Sequence, residues 1–404
     1  MISVEEALNQ VLEEALPLPS EEVSLMESLG RVCAEDVVAS ITVPPWDNSA
    51  MDGFAVHLSD VLSASEKGPV KLKVIADIPA GKLYGGAVKE GECVRIMTGA
   101  PVPSDCDTVI MREVADDKGE FVFIRETAEK GENIREKGED INVGDIVVHS
   151  GKRIEPADIG VMASVQVVRV KVYRQPVVAI LSTGDELVDI NEKITPGKIV
   201  TSNNYALEAQ VLESGAVPLQ IGIVKDKKDD IESALKKAME ADIILTTGGV
   251  SVGDYDFVKE VLDRLGFKKK FWQVAMKPGK PLTFGTLGKS IVFGLPGNPT
   301  ATMLCFDLIV RPAILKMMGH TSIFRKKVKA ESLEDIKKKA GRRHFLRVIT
   351  RFENGRYVFI TTGSQGSGVL TSMTKANSIA IMDEKATLLK KGDVAEVILL
   401  DEKI

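Results

Sequence analysis

The fold is indicated by two adjoining pieces of sequence, Val177-Val178-Ala179-Ile180-Leu181 and Ser182-Thr183-Gly184-Asp185-Glu186. The first predicts a strand, and the second predicts a polar loop at its end. They begin a region, residues 176–319, in which further predicted strands (217–224, 243–245, and a pair at 284 and 291–293) alternate with predicted helices (after 202, 229–239 and 256–265). Alternation of this kind is typical of a parallel sheet covered by helices, so we predict an α/β domain here.

The loops after the parallel strands are where such a domain would bind a ligand, because they converge beyond the carboxyl ends of the strands. The predicted loops are 182–186, 225–226, 246–256 and 296–298, and they concentrate carboxylates, glycines and hydroxyls. In the third loop, Gly248 and Gly249 would let the backbone approach a phosphate closely, and Asp254 and Asp256 are suited to hold a hydrated magnesium ion. A tight turn followed by an N-cap explains the same residues equally well. The spacing fits neither a Walker A loop nor a Rossmann fingerprint.

An oxyanion site is predicted by Met276-Lys277-Pro278-Gly279-Lys280-Pro281 together with Gly294-Leu295-Pro296-Gly297-Asn298-Pro299. Asn298 is a predicted N-cap and Pro299 the first helical residue, so a helix over 300–318 would present unpaired N–H groups with partial positive charge. Lys277 and Lys280 would add full charges. A solvated lysine pair in a turn is the alternative. The rigid Pro and Gly neighbours favour a binding site.

The rest of the chain is predicted to be mostly β structure. An amphipathic helix over 3–16 opens with a capping box at Ser3 and Glu6. Residues 27–140 contain strand-like runs such as 70–75 and 108–111, a strand at 146–148 and a helix at 156–163 follow, and the last 85 or so residues form a β domain. Three polar runs, 47–53, 95–103 and 131–140, are each compatible with an ordinary loop, although an Asx-turn does not explain the whole of the first.

The composition and length limit the classes of protein to which this chain can belong. The chain has 404 residues, which predicts about two to four domains, and its net charge of −6 argues against general nucleic-acid binding. Four cysteines and four histidines lack metal-ligand or disulfide spacing. The charged N-terminus is unlike a signal peptide, and no run of about 18 apolar residues occurs. We therefore expect a cytoplasmic protein whose partners are small molecules, not nucleic acid or a membrane.

Taken together, the runs 47–53, 95–103, 138–140, 182–186, 248–253, 277–281 and 294–299 resemble the molybdopterin molybdenumtransferase family, which includes MoeA and the E domain of gephyrin. The resemblance covers nearly the whole chain in order. It implies a multidomain α/β plus β fold: a MogA-like three-layer α/β domain (176–319), a β domain (27–140), an elongated partly helical domain (1–26 and 141–175) and a C-terminal β domain (320–404). It also implies a homodimer whose active site lies between the α/β domain of one subunit and the β domain of the other.

By this resemblance the enzyme takes adenylylated molybdopterin and molybdate as substrates and, with Mg²⁺, releases AMP and leaves molybdenum on the dithiolene. A transient contact with a MogA-type protein is implied as well. The implied catalytic residues are Asp52, Thr98, Asp140, Glu186, Asp226 and Asp256, of which Glu186, Asp226 and Asp256 would bind the metal. The implied substrate-binding residues are Gly248, Gly249, Ser251, Lys277, Lys280, Asn298, Pro299, Arg342, Arg347 and Ser367.

One position departs from the family pattern. Many members have a serine two residues after the proline of Gly-Asn-Pro, where this chain has Ala301, so Thr300 or Thr302 would have to supply the missing hydroxyl. Two other functions are compatible with the resemblance: a non-catalytic scaffold, as in the gephyrin branch, and the adenylylating step performed by MogA-type proteins. Molybdate and tungstate are not distinguished by the sequence, since their charge and shape are nearly the same.

Overall fold

The structure is a computed structural model of the chain, and it describes residues 1–248 and 257–400. The chain divides into two compact units. The larger unit comprises Met1–Glu21, Gly151–Arg153 and Val172–Ile404, and the smaller unit comprises Glu22–Ser150 and Ile154–Lys171. The four predicted domain boundaries stay a prediction. Within the described ranges, every helix is too short or too polar to cross a lipid bilayer.

The regular elements are numbered along the chain. The helices are α1 (Val4–Glu14), α2 (Leu58–Val61), α3 (Pro156–Ser164), α4 (Ser202–Glu213), α5 (Lys228–Ala238), α6 (Phe257–Arg264), α7 (Pro299–Cys305), α8 (Arg311–Met317) and α9 (Thr371–Lys375), with 3₁₀ turns at Met26–Ser28 and Arg112–Val114 and a π-helical turn at Phe306–Val310. The strands are β1 (Ser20–Ser24), β2 (Val37–Val38), β3 (Asn48–Ser49), β4 (Gly53–Val56), β5 (Val70–Ile78), β6 (Glu92–Ile96), β7 (Thr108–Met111), β8 (Ala115–Asp117), β9 (Phe121–Ile124), β10 (Ile134–Arg135), β11 (Ile146–Val148), β12 (Arg169–Tyr173), β13 (Val177–Thr183), β14 (Leu187–Val188), β15 (Ile199–Val200), β16 (Val217–Val224), β17 (Ile243–Thr247), β18 (Lys268–Phe271), β19 (Met276–Lys277), β20 (Thr283–Leu287), β21 (Ser290–Leu295), β22 (Lys327–Ser332), β23 (Ile336–Lys337), β24 (Arg343–Glu353), β25 (Arg356–Thr361), β26 (Ser378–Met382), β27 (Leu388–Leu389) and β28 (Val394–Leu399).

The α/β sheet of the larger unit has the strand order β16-β13-β17-β21-β20-β18. Its first four strands are parallel, whereas β20 and β18 are antiparallel to their neighbours. The predicted strands and the predicted hairpin around Gly288 are confirmed. Because the parallel strands end at the same edge, loops 182–186, 225–226 and 296–298 and residue Gly248 lie along that edge.

Alternate apolar residues explain why helices cover both faces of this sheet, since successive side chains of a strand point to opposite sides. Ile180 and Phe293 are buried in a core shared with α1, α4, α7 and α8. Leu181 and Val292 are buried in a second core with α5 and α6. The predicted three-layer arrangement is therefore confirmed.

Both predicted helix starts are confirmed, but the second helix is interrupted. The capping box of α1 is present, with Ser3 N–H donating to Glu6 Oε2 at 2.8 Å and Glu6 N–H donating to Ser3 Oγ at 3.1 Å. The helix predicted over 300–318 runs from Pro299 to Met317, but the π-helical turn interrupts it. Pro312 has no N–H to donate and its ring crowds the preceding turn, so local widening accommodates the ring.

The last strands of the larger unit form a barrel-like sheet, in the order β19-β24-β25-β22-β28-β26. The sheet closes because β24 pairs with β26 as well as with β25. Val348, Phe359 and Val397 are buried inside. The C-terminal β structure predicted from the sequence is therefore confirmed.

The smaller unit is built on a sheet with the order β7-β4-β6-β5-β9-β8. The predicted strands at 70–75 and 108–111 lie within β5 and β7. Phe54 and Ile110 are buried on one side of the sheet, and Val94 and Val109 on the other. Together the two units confirm the predicted multidomain α/β plus β fold class.

Candidate functional site

Three carboxylates lie together where β13 and β16 end. Asp226 N–H donates to Asp185 Oδ1 at 3.3 Å. Partial burial raises the pKa of Asp226, and the negative charges of Asp185 and Glu186 raise it further. Carboxylate oxygens are the ligands that a hydrated divalent cation prefers, so this edge has donors of the right chemistry.

The third predicted metal ligand, Asp256, lies outside the described residues, as do Gly249 and Ser251. The portion of the chain that is described contains no group of three or more His, Cys, Asp or Glu side chains close enough to hold a metal by themselves. A magnesium site made by Glu186, Asp226 and Asp256 therefore stays a prediction.

The end of β17 approaches the end of β13 very closely. Gly248 has a φ of +82°, and a Cβ atom at this position would lie 2.4 Å from the carbonyl oxygen of Thr183. Only glycine fits this combination of backbone angle and contact. Thr183 is 3% exposed, and its hydroxyl has no hydrogen-bond partner in the described part of the chain. Buried hydroxyls normally have a partner, and residues 249–256, which follow Gly248, lie outside the described part of the chain.

The start of α7 differs from the prediction of free N–H groups. Asn298 is the N-cap residue and Pro299 lies in the first turn, as predicted. The N–H of Thr300, however, donates to the carbonyl oxygen of Ser367 at 3.2 Å, and that of Thr302 donates to Asn298 O at 3.0 Å. The prediction was wrong for the amide of Thr300, because the loop after β25 supplies its acceptor, whereas the Thr302 bond is the first regular bond within the helix.

The two threonines do not replace the missing serine hydroxyl at Ala301. Thr300 Oγ1 donates to the carbonyl oxygen of Val369 at 3.3 Å. Thr302 Oγ1 donates to Asn298 O at 3.0 Å and also contacts Pro296 O. Both side chains are fully buried. Their protons are committed to main-chain carbonyls, so the expectation that either would bind the oxyanion was wrong.

A basic cavity of about 510 Å³ lies beside β19 in the larger unit. Lys277 is exposed on β19, which pairs in parallel with β24. Lys280 is exposed but is not among the residues that line the cavity. The polar side chains of the lining, which we call the basic cavity set, are those of Lys277, Lys337, Lys338, Lys339, His344, Arg347 and Gln365.

His344 reports the electrostatic character of this cavity. Burial, followed by the positive charges of Lys338, Lys277 and Arg342, lowers the pKa of His344 to about 4. The imidazole is 7% exposed and is therefore neutral at pH 7. The positive charges that add to this effect of burial also favour a bound anion.

Arg347 is placed to hold a loop as well as to line the cavity. It is 1% exposed, and burial lowers its pKa. Its Nε donates to Ser372 Oγ at 3.0 Å, and its Nη2 donates to Gly366 O at 3.0 Å. The amide of Gln365 in turn bonds the main chain of Arg347, receiving from N–H at 2.9 Å and donating to the carbonyl at 3.0 Å. Direct anion binding by Arg342, Arg347 or Ser367 stays a prediction.

In the smaller unit, two predicted catalytic residues contact each other. Asp52 Oδ1 accepts hydrogen bonds from the backbone N–H of Thr98 at 2.8 Å and from its hydroxyl at 2.7 Å. These hydrogen bonds lower the pKa of Asp52, so the carboxylate is charged near neutral pH.

The three polar runs of the smaller unit meet, which the separate motifs did not predict. β3 pairs with β10, Asp47 O accepts from the N–H of Val102 at 3.0 Å, and Asp47 Oδ1 accepts from the N–H of Lys137 at 2.7 Å. Asp140 is exposed in the same group of loops. Asn48, which the sequence offered only as an Asx-turn candidate in the run 47–53, is 7% exposed, and its Oδ1 has no partner among the residues described. The only indication of Asn48 in the sequence was an amide side chain within a turn-forming run.

Comparison with known proteins covers all of these regions. Three family patterns match: "MoeA N-terminal region (domain I and II)" over residues 2–165, "Probable molybdopterin binding domain" over 179–316 and "MoeA C-terminal region (domain IV)" over 329–400. A molybdopterin molybdenumtransferase of Staphylococcus aureus is 36% identical over 99% of this chain and 96% of its own length. One from Nostoc sp. is 38% identical over 97% of this chain and 92% of its own length.

A solved structure with a related name is similar to this chain as well. The crystal structure of a molybdopterin biosynthesis MoeA protein from Pyrococcus horikosii has a TM-score of 0.85 to this chain, at 32% identity, and covers 99% of each chain. Sequence and fold are thus similar over the full length. The chain belongs to the molybdopterin molybdenumtransferase family, which is a family of transferase enzymes.

Proposed function

We propose that this protein inserts molybdenum from molybdate into adenylylated molybdopterin, with release of AMP and a requirement for Mg²⁺, in the biosynthesis of the molybdenum cofactor. The observation that carries the proposal is the presence, in one compact unit, of an acidic sheet edge and a separate basic cavity. A nucleotide-linked substrate with a metal and a tetrahedral oxyanion requires both kinds of site.

The acidic edge is assigned to the metal. Asp226, with Asp185 and Glu186 near it, has the oxygen donors that Mg²⁺ prefers, and burial together with these two negative charges raises the pKa of Asp226. When bound, Mg²⁺ would neutralise charge on the phosphoanhydride. The carboxylates themselves would orient the ion.

The basic cavity is assigned to the oxyanion. Lys277 and the other lysines of the basic cavity set supply charge, and Arg347 with Gln365 fixes the loop 364–367, of which Gln365 lines the cavity. A carboxylate beside the oxyanion would repel it, so the separation of acids from lysines is part of the mechanism. Stabilisation by fixed charges of this kind is commonly a large share of catalysis.

A cytoplasmic homodimer is proposed as the active form, with Asp52, Thr98 and Asp140 of one subunit completing the site of the other. The charged Asp52, held by Thr98, and the exposed Asp140 support a polar role for this group of loops. We also propose a transient contact with a MogA-type protein, which would hand over the adenylylated substrate.

Reconstitution tests the proposed reaction. The purified protein is given adenylylated molybdopterin, Mg²⁺ and either molybdate or tungstate, and AMP and pterin-bound metal are measured. We expect AMP and pterin-bound molybdenum to appear in equal amounts. Formation of adenylylated pterin from molybdopterin and ATP would instead indicate the adenylylating step. Inertness toward every pterin would indicate a scaffold.

A further inference from the structure

Helix α4 carries two amide side chains on the face that packs against α7. Asn203 and Gln210 are seven positions apart, which is about two turns of an α-helix, so they lie on the same side of α4. Asn203 Nδ2 donates to the carbonyl oxygen of Gly297 at 2.9 Å, and Gln210 Nε2 donates to that of Met303 at 3.1 Å. One amide therefore bonds the loop before α7, and the other bonds the main chain within α7.

Stability alone does not explain these two amides. Asn203 Oδ1 and Gln210 Oε1 are buried, and neither atom has a hydrogen-bond partner in residues 1–248 or 257–400. A buried carbonyl oxygen without a donor costs free energy, so each amide makes one hydrogen bond and leaves another unmade. Leu207 and Leu304 show that apolar side chains fill the same interface. What an apolar side chain cannot provide is a directional bond to one chosen carbonyl group.

The two acceptors differ in what they position. The acceptor of Gln210 lies inside a helix, whereas Gly297 lies in the exposed loop 296–298, beyond the last pair of residues that joins β21 to β17. Asn298, the N-cap residue of α7, makes no side-chain capping hydrogen bond. Thr302 holds Asn298 O from within α7 itself, at 3.0 Å. The bond from Asn203 therefore fixes the loop to a neighbouring element.

The next residue of α4 fixes the same helical turn to the ends of two strands. Asn204 is 5% exposed, and its Oδ1 accepts from Ser182 Oγ. Ser182 Oγ also bonds Thr247 Oγ1, at 2.6 Å. Ser182 lies in the last turnless residues of β13, and Thr247 is the last residue of β17. Adjacent residues of one helical turn thus hold the loop 296–298 at a fixed position relative to the sheet edge.

We propose that Asn203 is a positioning residue for the transfer reaction, which sets the separation between the acidic edge and the loop 296–298 by holding Gly297 O. The inference rests on the proposed function, in which Asn298 and Pro299 bind substrate. Asn203 acts through the loop and not by contact with substrate, since its Oδ1 is enclosed by protein and its Nδ2 donates to Gly297. Loss of this bond displaces a substrate contact without removing a charge or a metal ligand.

Asn203→Ala and Gln210→Ala form a matched pair, because each removes one bond from α4 to the main chain of the segment 297–303. In the reconstituted reaction we expect Asn203→Ala to lower kcat/KM for adenylylated molybdopterin about tenfold, since small displacements of substrate contacts slow reactions by such factors. Gln210→Ala should leave this constant unchanged, and the half-saturating Mg²⁺ should be unchanged in both. Equal losses of kcat/KM in the two variants would overturn the proposal.

Asn203→Asp gives a readout that a loss of stability would not give. An ionised carboxylate cannot donate to Gly297 O, whereas a protonated one can. Activity relative to the unchanged protein at the same pH should therefore rise as the pH falls from about 7.5 to about 5.5, because burial raises the pKa of a carboxyl group at such a position. The same ratio for Asn203→Ala should stay flat. A flat ratio in Asn203→Asp would contradict the proposal, even where Asn203→Ala fails to fold.

Hydrogen exchange without substrate tests the hold on the loop apart from the reaction. The reporter is the N–H of Thr300, which donates to Ser367 O at the start of α7. We expect it to exchange about tenfold faster in Asn203→Ala and at the normal rate in Gln210→Ala, since a freed loop opens more often. Faster exchange in a protein that releases no AMP would overturn the proposed reaction but not the hold on the loop. An unchanged rate in Asn203→Ala would overturn the positioning role.

Discussion

At the scale of the residue, Gly248 shows how local geometry builds the site. Its φ is positive, and a Cβ atom there would lie 2.4 Å from Thr183 O, so both features exclude any side chain. Gly266 has a similar φ of +90°, but a Cβ atom at that position would have no atom within 4 Å. Alanine substitutions at the two glycines therefore distinguish the cost of backbone strain from the cost of a steric collision.

Gly248→Ala should lower the free energy of unfolding by roughly 2–4 kcal/mol, because it adds a main-chain collision to the cost of a left-handed alanine. Gly266→Ala should lower it by only about 1 kcal/mol, since the strain acts alone there. Urea unfolding of both variants measures the difference. Equal losses would show that the approach of β17 to β13 is not as tight as described.

His344 gives a pH dependence whose sign follows from its pKa. The unfolded imidazole titrates near pH 6.5 and the folded one near 4, because burial and the surrounding cations disfavour the charged form. Between these values the unfolded chain holds the extra proton, so stability is fully present above pH 6.5 and falls as the pH drops toward 4.

His344→Gln should remove roughly 1–3 kcal/mol of this pH-dependent loss between pH 6.5 and 4. His149→Gln, at an exposed histidine, serves as the matched control. Unfolding free energies measured across this range check the prediction. A slope that is the same in His344→Gln as in the unchanged protein would contradict the buried, cation-facing position of His344.

At the scale of the element, the loop 364–367 depends on Arg347 and Gln365. Gln365 bonds both main-chain groups of Arg347, the guanidinium holds the carbonyl of Gly366, and the carbonyl of Ser367 receives the N–H of Thr300 at the start of α7. The loop thereby joins the barrel-like sheet to the helix beside the sheet edge. Arg347 is a positioning residue in this arrangement.

Gln365→Ala should raise the KM for molybdate about tenfold with little change in kcat, because the wall of the basic cavity becomes mobile while the charges remain. Gln365→Glu keeps an acceptor for Arg347 N–H but loses the donor to Arg347 O and places a carboxylate beside the oxyanion, so it should raise the KM at least as much. The KM and kcat of both variants in the reconstituted reaction provide the check. A fall in kcat with KM unchanged would argue against a positioning role for the loop.

The elements themselves were largely predictable, but their contacts were not. Strand β16 matches the predicted 217–224, because apolar and turn residues set its ends locally. The N–H of Thr300 was predicted to be free, whereas its acceptor, Ser367, lies 67 positions further along the chain. Asn48 and the meeting of three polar loops in the smaller unit depend on pairing across long separations as well. Sequence patterns indicate local conformational preferences, whereas these contacts are set by tertiary packing.

At the scale of the whole molecule, the proposed dimer predicts complementation. At a molybdate concentration far below the raised KM of Lys277→Ala, the Asp52→Ala and Lys277→Ala protomers should each have little activity alone, since one lacks the acid of the smaller unit and the other lacks a cation of the larger unit. If one subunit's smaller unit completes the partner's site, a mixed dimer has one intact site. Equal mixing should therefore restore about a quarter of the normal activity, because half of the dimers are mixed and one site in two is intact.

Activity after unfolding and refolding the two variants together, compared with each refolded alone, measures this complementation. Size-exclusion chromatography confirms that dimers have formed. Mixed dimers with no activity would argue that each site is complete within a single subunit.

The central claim is that acids at the sheet edge serve the metal while lysines of the basic cavity serve the oxyanion. The most direct test measures the half-saturating Mg²⁺ and the KM for molybdate in Asp226→Asn and Lys277→Ala, with Lys289→Ala, an exposed lysine in the β20–β21 turn, as control. We predict that Asp226→Asn raises only the Mg²⁺ requirement, that Lys277→Ala raises only the KM for molybdate, and that Lys289→Ala changes neither. Both constants shifting together in both variants, or neither shifting in either, would contradict the division of the site into a metal part and an oxyanion part.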